Sequence, residues 1–303
     1  MNQQQRDELG QIVGPDNVLI DEPMSNHTTF RIGGPAEVFV EPPVGVIKEL
    51  VDFCKNSGIP YTIIGHGSNL LVSDEGIEGV VICLSKAASS INMEGESITC
   101  EAGAMLGTVA SQAAQNSLGG MEFAAGIPGS IGGAVAMNAG AYGGEMKDIL
   151  VSATVLTQDG EIVTWSVDEL DLSYRHSRVL SEGAVVLSAV LKLASADAAD
   201  IKAKMDDFRQ RRLDKQPLEY PSAGSTFKRP EGYFAGKLIQ DSGLAGYTVG
   251  GACVSEKHCG FVINKGGATA ADVSTLMKNV DAIVREKFGV GLEPEVRLIG
   301  KGF

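Results

Sequence analysis

The sequence predicts an α+β protein, a larger first region followed by a smaller α/β one. Three observations lead there. Strand-like runs such as Tyr61-Thr62-Ile63-Ile64 and Gly260-Phe261-Val262-Ile263-Asn264 alternate with helical stripes such as Ile47, Leu50, Val51 and Cys54. Two alternating runs, 153–157 and 161–165, flank Asp159-Gly160, the turn signal of an antiparallel hairpin. The 303 residues, 44% apolar and 21% charged, suffice for about two soluble domains with a sizeable core.

In chain order, residues 1–25 read as an irregular leader, and the polar turn 26–35 runs into the strand-like AEVFVE. The helix over Ile47 to Cys54 is stopped by Gly58 and Pro60. The strand Tyr61–Ile64 feeds Gly65-His66-Gly67-Ser68-Asn69-Leu70-Leu71, which fails as a dinucleotide-binding turn. Its third glycine position holds Leu70, and VSDEGIEGVVICL continues as turn and strand where a helix is required. A strand near Ser97 to Glu101 and a helix from Met105 to Leu118 follow, ending at Gly119-Gly120.

The next stretch, Phe123 to Gly144, is uncharged, rich in glycine and broken by Pro128. A membrane span needs roughly 20 predominantly apolar residues, and these glycines and the proline disrupt a helix at its start. Such a backbone suits close approach, either by a packed neighbour or by a ligand whose anionic group meets converging N–H groups. Pro128-Gly129-Ser130 opens a short helix through Asn138. Two glycine loops, each following regular structure, favour the ligand site.

Beyond the hairpin, the polar, basic run 172–178 precedes the apolar strand Ala184 to Leu191. A helix from Asp197 to Arg212, with Ile201, Met205 and Phe208 inward, links to the second region. Leu213 to Pro230 reads as a long functional loop holding Lys215, Ser225, Lys228 and Arg229. After a helix at Phe234–Asp241 and the strand 260–264 comes an amphipathic helix. Val273, Leu276, Met277, Val280, Ile283 and Val284 form its stripe, and Thr269 and Asp272 its capping pair. In the last strand, 293–299, alternation puts Glu295 and Arg297 on one face. The expected division is a leader at 1–25, a first region of two subdomains at 26–196, and a second domain with its linker helix at 197–303.

Charge and cysteine content narrow the partners. Acidic residues outnumber basic ones, 38 to 25, for a formal charge of −13, so broad attraction to nucleic acid or an anionic membrane is not expected. Five cysteines (54, 83, 100, 253, 259) lie mostly in apolar runs without CxxC spacing and read as reduced core residues, with no metal site. MNQQQRDELG has no apolar signal core, so the expected location is cytoplasmic.

Seven stretches taken in order, TTFRIGGPA, GHGSNLLV, AGIPGSIGGAVAMNAGAYGGE, SYRHS, PSAGSTFKRP, AGKLIQDSGLAG and LEPEVRLIG, resemble one family. It is the UDP-N-acetylenolpyruvoylglucosamine reductases of peptidoglycan synthesis, and the likeness covers roughly residues 25 to 300. The resemblance implies an FAD-binding fold of the vanillyl-alcohol-oxidase type with a smaller C-terminal α/β substrate domain. It implies non-covalent FAD reduced by NADPH, then hydride transfer from flavin N5 to the enolpyruvyl methylene carbon of a UDP-sugar. By resemblance, Arg175 and Glu295 flank the substrate carboxylate and Ser225 delivers the proton. FAD would be held by Gly65, His66, Gly67, Ser68, Asn69, Gly126, Pro128, Ser130, Gly132, Gly133 and Asn138. Lys215 matches the family's diphosphate lysine, Arg229 and His258 fall where some members carry amides, and Tyr174 belongs to the arginine motif. The short span from Arg178 to Ala184 leaves little room for a substrate-closing tyrosine loop, and in this the chain resembles the family's shorter second type.

Two other readings remain open on the residues. One is an oxidase or dehydrogenase on the same fold, with His66 linked covalently to flavin, since a fold does not fix a reaction. The other is a nucleotide-sugar binding module without turnover, which predicts no flavin absorbance.

Overall fold

A computed structural model describes residues 1–303, and the chain divides into two compact units. The first comprises Met1–Ile20, Val38–His66 and Gly79–Arg211. Its centre is a five-stranded antiparallel sheet ordered Ile162–Ser166, Leu150–Leu156, Val185–Lys192, Ser97–Glu101, Ile91–Glu94. The expected hairpin forms one edge, with Val155 opposite Val163 and Gly160 at φ +86° in the turn. Val155, Val186 and Leu191 are buried, each side chain contributing about 1.5–3 kcal/mol on removal from water. The helix Ile131–Ala136, the middle of the glycine-rich stretch, packs on the strand Val185–Lys192. Tyr61–Ile64 pairs in parallel with Ile77–Cys83, from Tyr61 opposite Val80 to Ile64 opposite Cys83. The helix Ile47–Asn56 buries the predicted stripe of Ile47, Leu50, Val51 and Cys54.

The expected irregular leader is instead ordered. A helix, Gln3–Val13, begins at Asn2, whose side chain accepts from Gln5 N (2.9 Å) while the Gln5 side chain accepts from Asn2 N (2.9 Å). This reciprocal cap starts a helix whose apolar face, Leu9 and Val13, is too thin for periodicity to reveal. The linker helix also differs, running Ala198–Lys215 with only Ile201 fully buried, so Lys215 ends a helix and does not sit in a loop.

The second unit comprises Asp21–Glu37, Gly67–Glu78 and Arg212–Phe303. Its antiparallel sheet, ordered Ser222–Ser225, Phe261–Asn264, Ala252–Val254, Thr248–Val249, carries the helix Ala270–Phe288, whose buried face is five of the six predicted residues plus Ala270. Ile283 is only partly buried. Thr269 and Asp272 form the predicted capping box, and Asp74 adds its carboxylate to Ala270 N (2.7 Å) and Ala271 N (3.0 Å). Four acceptor atoms thereby serve the donors that a helix start leaves unpaired.

The unit limits do not coincide with the expected boundaries at 25 and 196, because two early segments join the C-terminal part. Phe30 and Leu71 lie in its core. Leu70–Val72 forms a parallel pair with Arg297–Ile299. All five cysteines are free and buried, and burial pushes the Cys54 thiol up to about 11 and those of Cys83 and Cys100 up to about 12. Cys54, Cys83 and Cys100 therefore stay protonated at neutral pH. No helix is long and apolar enough to cross a membrane.

Candidate active site

In the first unit the two glycine loops meet at one point. The strand Tyr61–Ile64 delivers Gly65, and a Cβ built on Gly65 would overlap the Ser130 hydroxyl. Ser130 is the N-cap residue of Ile131–Ala136, extended at φ −93°, ψ 160°, yet its side chain does not cap the helix. Neighbouring N–H groups are engaged elsewhere: Ile131 N donates to Ala104 O (2.8 Å) and Gly132 N to Ala102 O (2.8 Å). Ser130 is 2% exposed and its Oγ has no hydrogen-bond partner. Leaving a buried hydroxyl unpaired costs about 1–3 kcal/mol. A Cβ on Gly133 would meet nothing nearer than that hydroxyl, at 3.9 Å. The result is a buried hydroxyl without a partner, packed closely against the Gly65 backbone, and a polar group of a cofactor reaching it would supply the missing bond. Gly126 and Pro128 border an adjoining groove of about 790 Å³, walled by Met105, Thr108 and Gln112. His66 is exposed beside Gly65.

Other predicted cofactor residues also make contacts inside the fold. A Cβ on Gly67 (φ +66°) would run into the His27 carbonyl, and one on Gly132 would lie 2.9 Å from Ala102 Cβ, so both glycines allow chain-to-chain approach. Asn138 is 1% exposed, and its amide is occupied: Nδ2 donates to Glu145 Oε2 (2.6 Å) and Ser173 O (3.2 Å), and Oδ1 accepts from Lys147 N (3.0 Å). Its backbone at φ +40° suits asparagine, which tolerates the left-handed region.

Those bonds position the arginine motif. Ser173 and His176 pair antiparallel around a two-residue turn, Tyr174-Arg175, with Arg175 at φ +56°. One end is tied by Asn138 to Ser173 O, the other by Ser177 Oγ to Ala136 O (2.6 Å), Ser177 being wholly buried. The turn is thus fastened at both ends to the chain that follows Ser130. Arg175 Nη2 donates to Gly140 O (3.4 Å), and its guanidinium lies 5.1 Å from the centre of the exposed Tyr174 ring. Sequence reasoning missed Ser177, although it stands in the same motif.

In the second unit, the expected long loop contains the strand Ser222–Ser225, which sets Ser225 exposed at its end with Gly224 at φ +75° before it. Thr226 is buried. Its N donates to Gly260 O (2.8 Å), its Oγ1 accepts from Val262 N (2.9 Å), and its O accepts from Glu295 N (2.9 Å). Phe227 also bridges Pro294. Ser225 and Glu295 are therefore brought onto neighbouring segments. Ser68 is half-buried, while Asn69 donates from Nδ2 to Glu295 O (3.0 Å) and accepts Arg297 N (3.0 Å) on its own carbonyl.

Lys215, exposed at its helix end, lies close enough to His258 for its charge to act on the ring. Burial chiefly, with Lys215 adding, holds His258 below its ordinary 6.5. His258 Nδ1 accepts from Gly260 N (3.1 Å), so the neutral ring carries its proton on Nε2 as a donor. Lys257, not predicted, donates to Leu213 O (2.7 Å) and ties this helix end to the 255–260 turn. Arg229 is exposed with its guanidinium 4.5 Å from the Phe234 ring centre.

The family described as "FAD binding domain" matches residues 44–166, and "UDP-N-acetylenolpyruvoylglucosamine reductase, C-terminal domain" matches 216–299. A curated UDP-N-acetylenolpyruvoylglucosamine reductase from Agathobacter rectalis is 58% identical over 296 residues, covering 94% of each chain. One from Clostridium perfringens is 53% identical over 294 residues, 97% of this chain and 96% of that one. The crystal structure of the reductase from Thermus caldophilus superposes with a TM-score of 0.79 at 35% identity, over 91% of this chain and 97% of that one.

Proposed function

We propose, for a chain that belongs to the UDP-N-acetylenolpyruvoylglucosamine reductase family, that it reduces the enolpyruvyl ether of UDP-N-acetylglucosamine to the lactyl ether of UDP-N-acetylmuramate in peptidoglycan precursor synthesis. The observation that carries the reading is the tie between Ser225 and Glu295 through the Thr226 peptide, Glu295 N to Thr226 O at 2.9 Å. Gly65, His66, Ser68, Gly126, Pro128, Ser130 and Gly133 would hold FAD without a covalent bond, and the chemistry it would supply there is hydride for the terminal methylene carbon, with NADPH as the electron source.

The remaining tasks fall to side chains of the protein. Saturating the double bond needs a proton at the carbon next to the carboxylate, and the exposed Ser225 hydroxyl delivers it. The Arg175 guanidinium, on its doubly fastened turn, neutralises the charge that gathers on that carboxylate, and its planar fork suits the task better than an ammonium. Glu295 is protonated, or hydrogen-bonded through a neighbour, when chemistry occurs, because a bare carboxylate would repel the same developing charge. Lys215 and the Nε2–H of His258 receive the diphosphate, with Arg229 and Tyr174 as further contacts to the sugar nucleotide.

The test is anaerobic. The purified protein is reduced with NADPH until the flavin band bleaches, and the enolpyruvyl sugar nucleotide is then added. Return of the band only with that substrate, selectively slowed in Ser225→Ala, supports the assignment. A band that stays bleached overturns the reaction, and a protein that takes up no FAD overturns the cofactor.

A further inference from the structure

The segment 293–299 changes partner midway. Up to Glu295 it runs against the serine strand's continuation: Lys228 N donates to Glu293 O (2.8 Å), Phe227 bridges Pro294, and Glu295 N donates to Thr226 O (2.9 Å). From Arg297 onward it runs parallel to Leu70–Val72. The Glu295 carbonyl falls in the gap between these two ladders, where regular backbone pairing supplies no donor. Asn69 Nδ2 fills the gap at 3.0 Å, while the Asn69 carbonyl takes Arg297 N at 3.0 Å and starts the second ladder.

With N–H and C=O of Glu295 both bonded, its φ and ψ are fixed and so is the direction of its side chain from Cα. We propose that Asn69 is a positioning residue for the Glu295 carboxyl, and that its side chain serves the proton-handling half of the site and not the cofactor. The inference rests on the assignment of Glu295 made above. A carboxyl that swings by about 1 Å costs on the order of 100-fold in such chemistry, and the Asn69 amide is what prevents the swing on the carbonyl side.

The test uses Asn69→Asp, which keeps the shape and removes the donor, and Asn69→Ser, which shortens the side chain out of reach. Both retain the backbone bond to Arg297. Three readouts are taken: FAD affinity, the rate of NADPH reduction, and the rate of substrate-driven reoxidation with its pH profile. Amide exchange over 295–297 is measured in protein free of FAD. The expected result is unchanged FAD affinity and reduction, reoxidation slowed about 10- to 100-fold, faster exchange at 295–297, and no further slowing when either change is combined with Glu295→Gln. Weakened FAD binding with normal reoxidation in the bound fraction overturns the proposal. So does a slowing that multiplies with that of Glu295→Gln. If Glu295→Gln alone reoxidises at the parental rate, the role of Glu295 fails first, and that single variant identifies the failure.

Discussion

Removing the Ser130 hydroxyl is expected to strengthen the empty protein and weaken its grip on FAD. Ser130 Oγ is buried and without a partner, at a position where a Cβ on Gly65 would overlap it. In the cofactor-free protein the hydroxyl contributes no hydrogen bond and carries a desolvation cost of about 1–3 kcal/mol. Ser130→Ala relieves that cost while leaving a void of one oxygen atom, so a net gain of about 1 kcal/mol in unfolding free energy is expected. If the hydroxyl bonds FAD, its loss forfeits about 0.5–1.5 kcal/mol of binding, roughly 2- to 12-fold in Kd. The protein has a single tryptophan, Trp165, buried in the same unit as Ser130, so urea unfolding followed by its fluorescence reports on that unit. FAD titration of the apo-protein gives the second quantity. The two effects carry opposite signs, which separates a ligand hydroxyl from a structural one. A variant that unfolds at lower urea and binds FAD as tightly as the parent refutes the reasoning.

Arg175→Lys is expected to slow substrate-driven reoxidation by on the order of 10²–10³ without changing reduction by NADPH, because an ammonium cannot reproduce the fork; stopped-flow traces of the two half-reactions check it, and equal slowing of both would contradict it. His258 is held below its ordinary 6.5 by burial first and by Lys215 as well, so the unfolded chain binds the extra proton more readily than the folded one. Its contribution to stability is complete above 6.5 and is lost as pH falls through the folded value. Urea midpoints across about pH 5 to 8 should therefore fall less steeply on the acid side in His258→Gln than in the parent, and identical slopes would rule the effect out. Gly65→Ala should destabilise the parent through the clash with Ser130 Oγ but be tolerated in the Ser130→Ala background, where the nearest Ser130 atom left is Cβ at 3.6 Å; a double-mutant cycle with no coupling would mean the two loops adjust independently.

What the sequence made legible were features whose cause is local. The capping pair Thr269 and Asp272, the Asp159-Gly160 turn and the stripe from Val273 to Val284 each depend on residues within one or two turns of chain, and each is found. The failed dinucleotide turn was legible for the same reason: Leu70–Val72 is a strand where a helix would be needed. The glycines were harder, because a glycine records that something comes close without recording what. Gly65 admits the Ser130 hydroxyl much as Gly67 and Gly132 admit His27 and Ala102, whereas Gly133 has nothing nearer than 3.9 Å, and no pattern within either loop distinguishes these uses.

Long-range pairing accounts for the rest. Asn69 sits in a loop whose composition suggests a phosphate cradle, yet its side chain answers a gap in hydrogen bonding that exists only because 293–299 exchanges one partner strand for another. The need for a donor at Glu295 O cannot be read from either segment alone, since it arises from the register of both. Asn138 repeats the case in the first unit, where its amide joins Glu145, Lys147 and Ser173 and thereby places Arg175. In both loops an asparagine beside glycines supplies the fixed geometry that the glycines cannot. Side chains next to a flexible cradle are therefore candidates for holding catalytic neighbours before they are candidates for touching the cofactor.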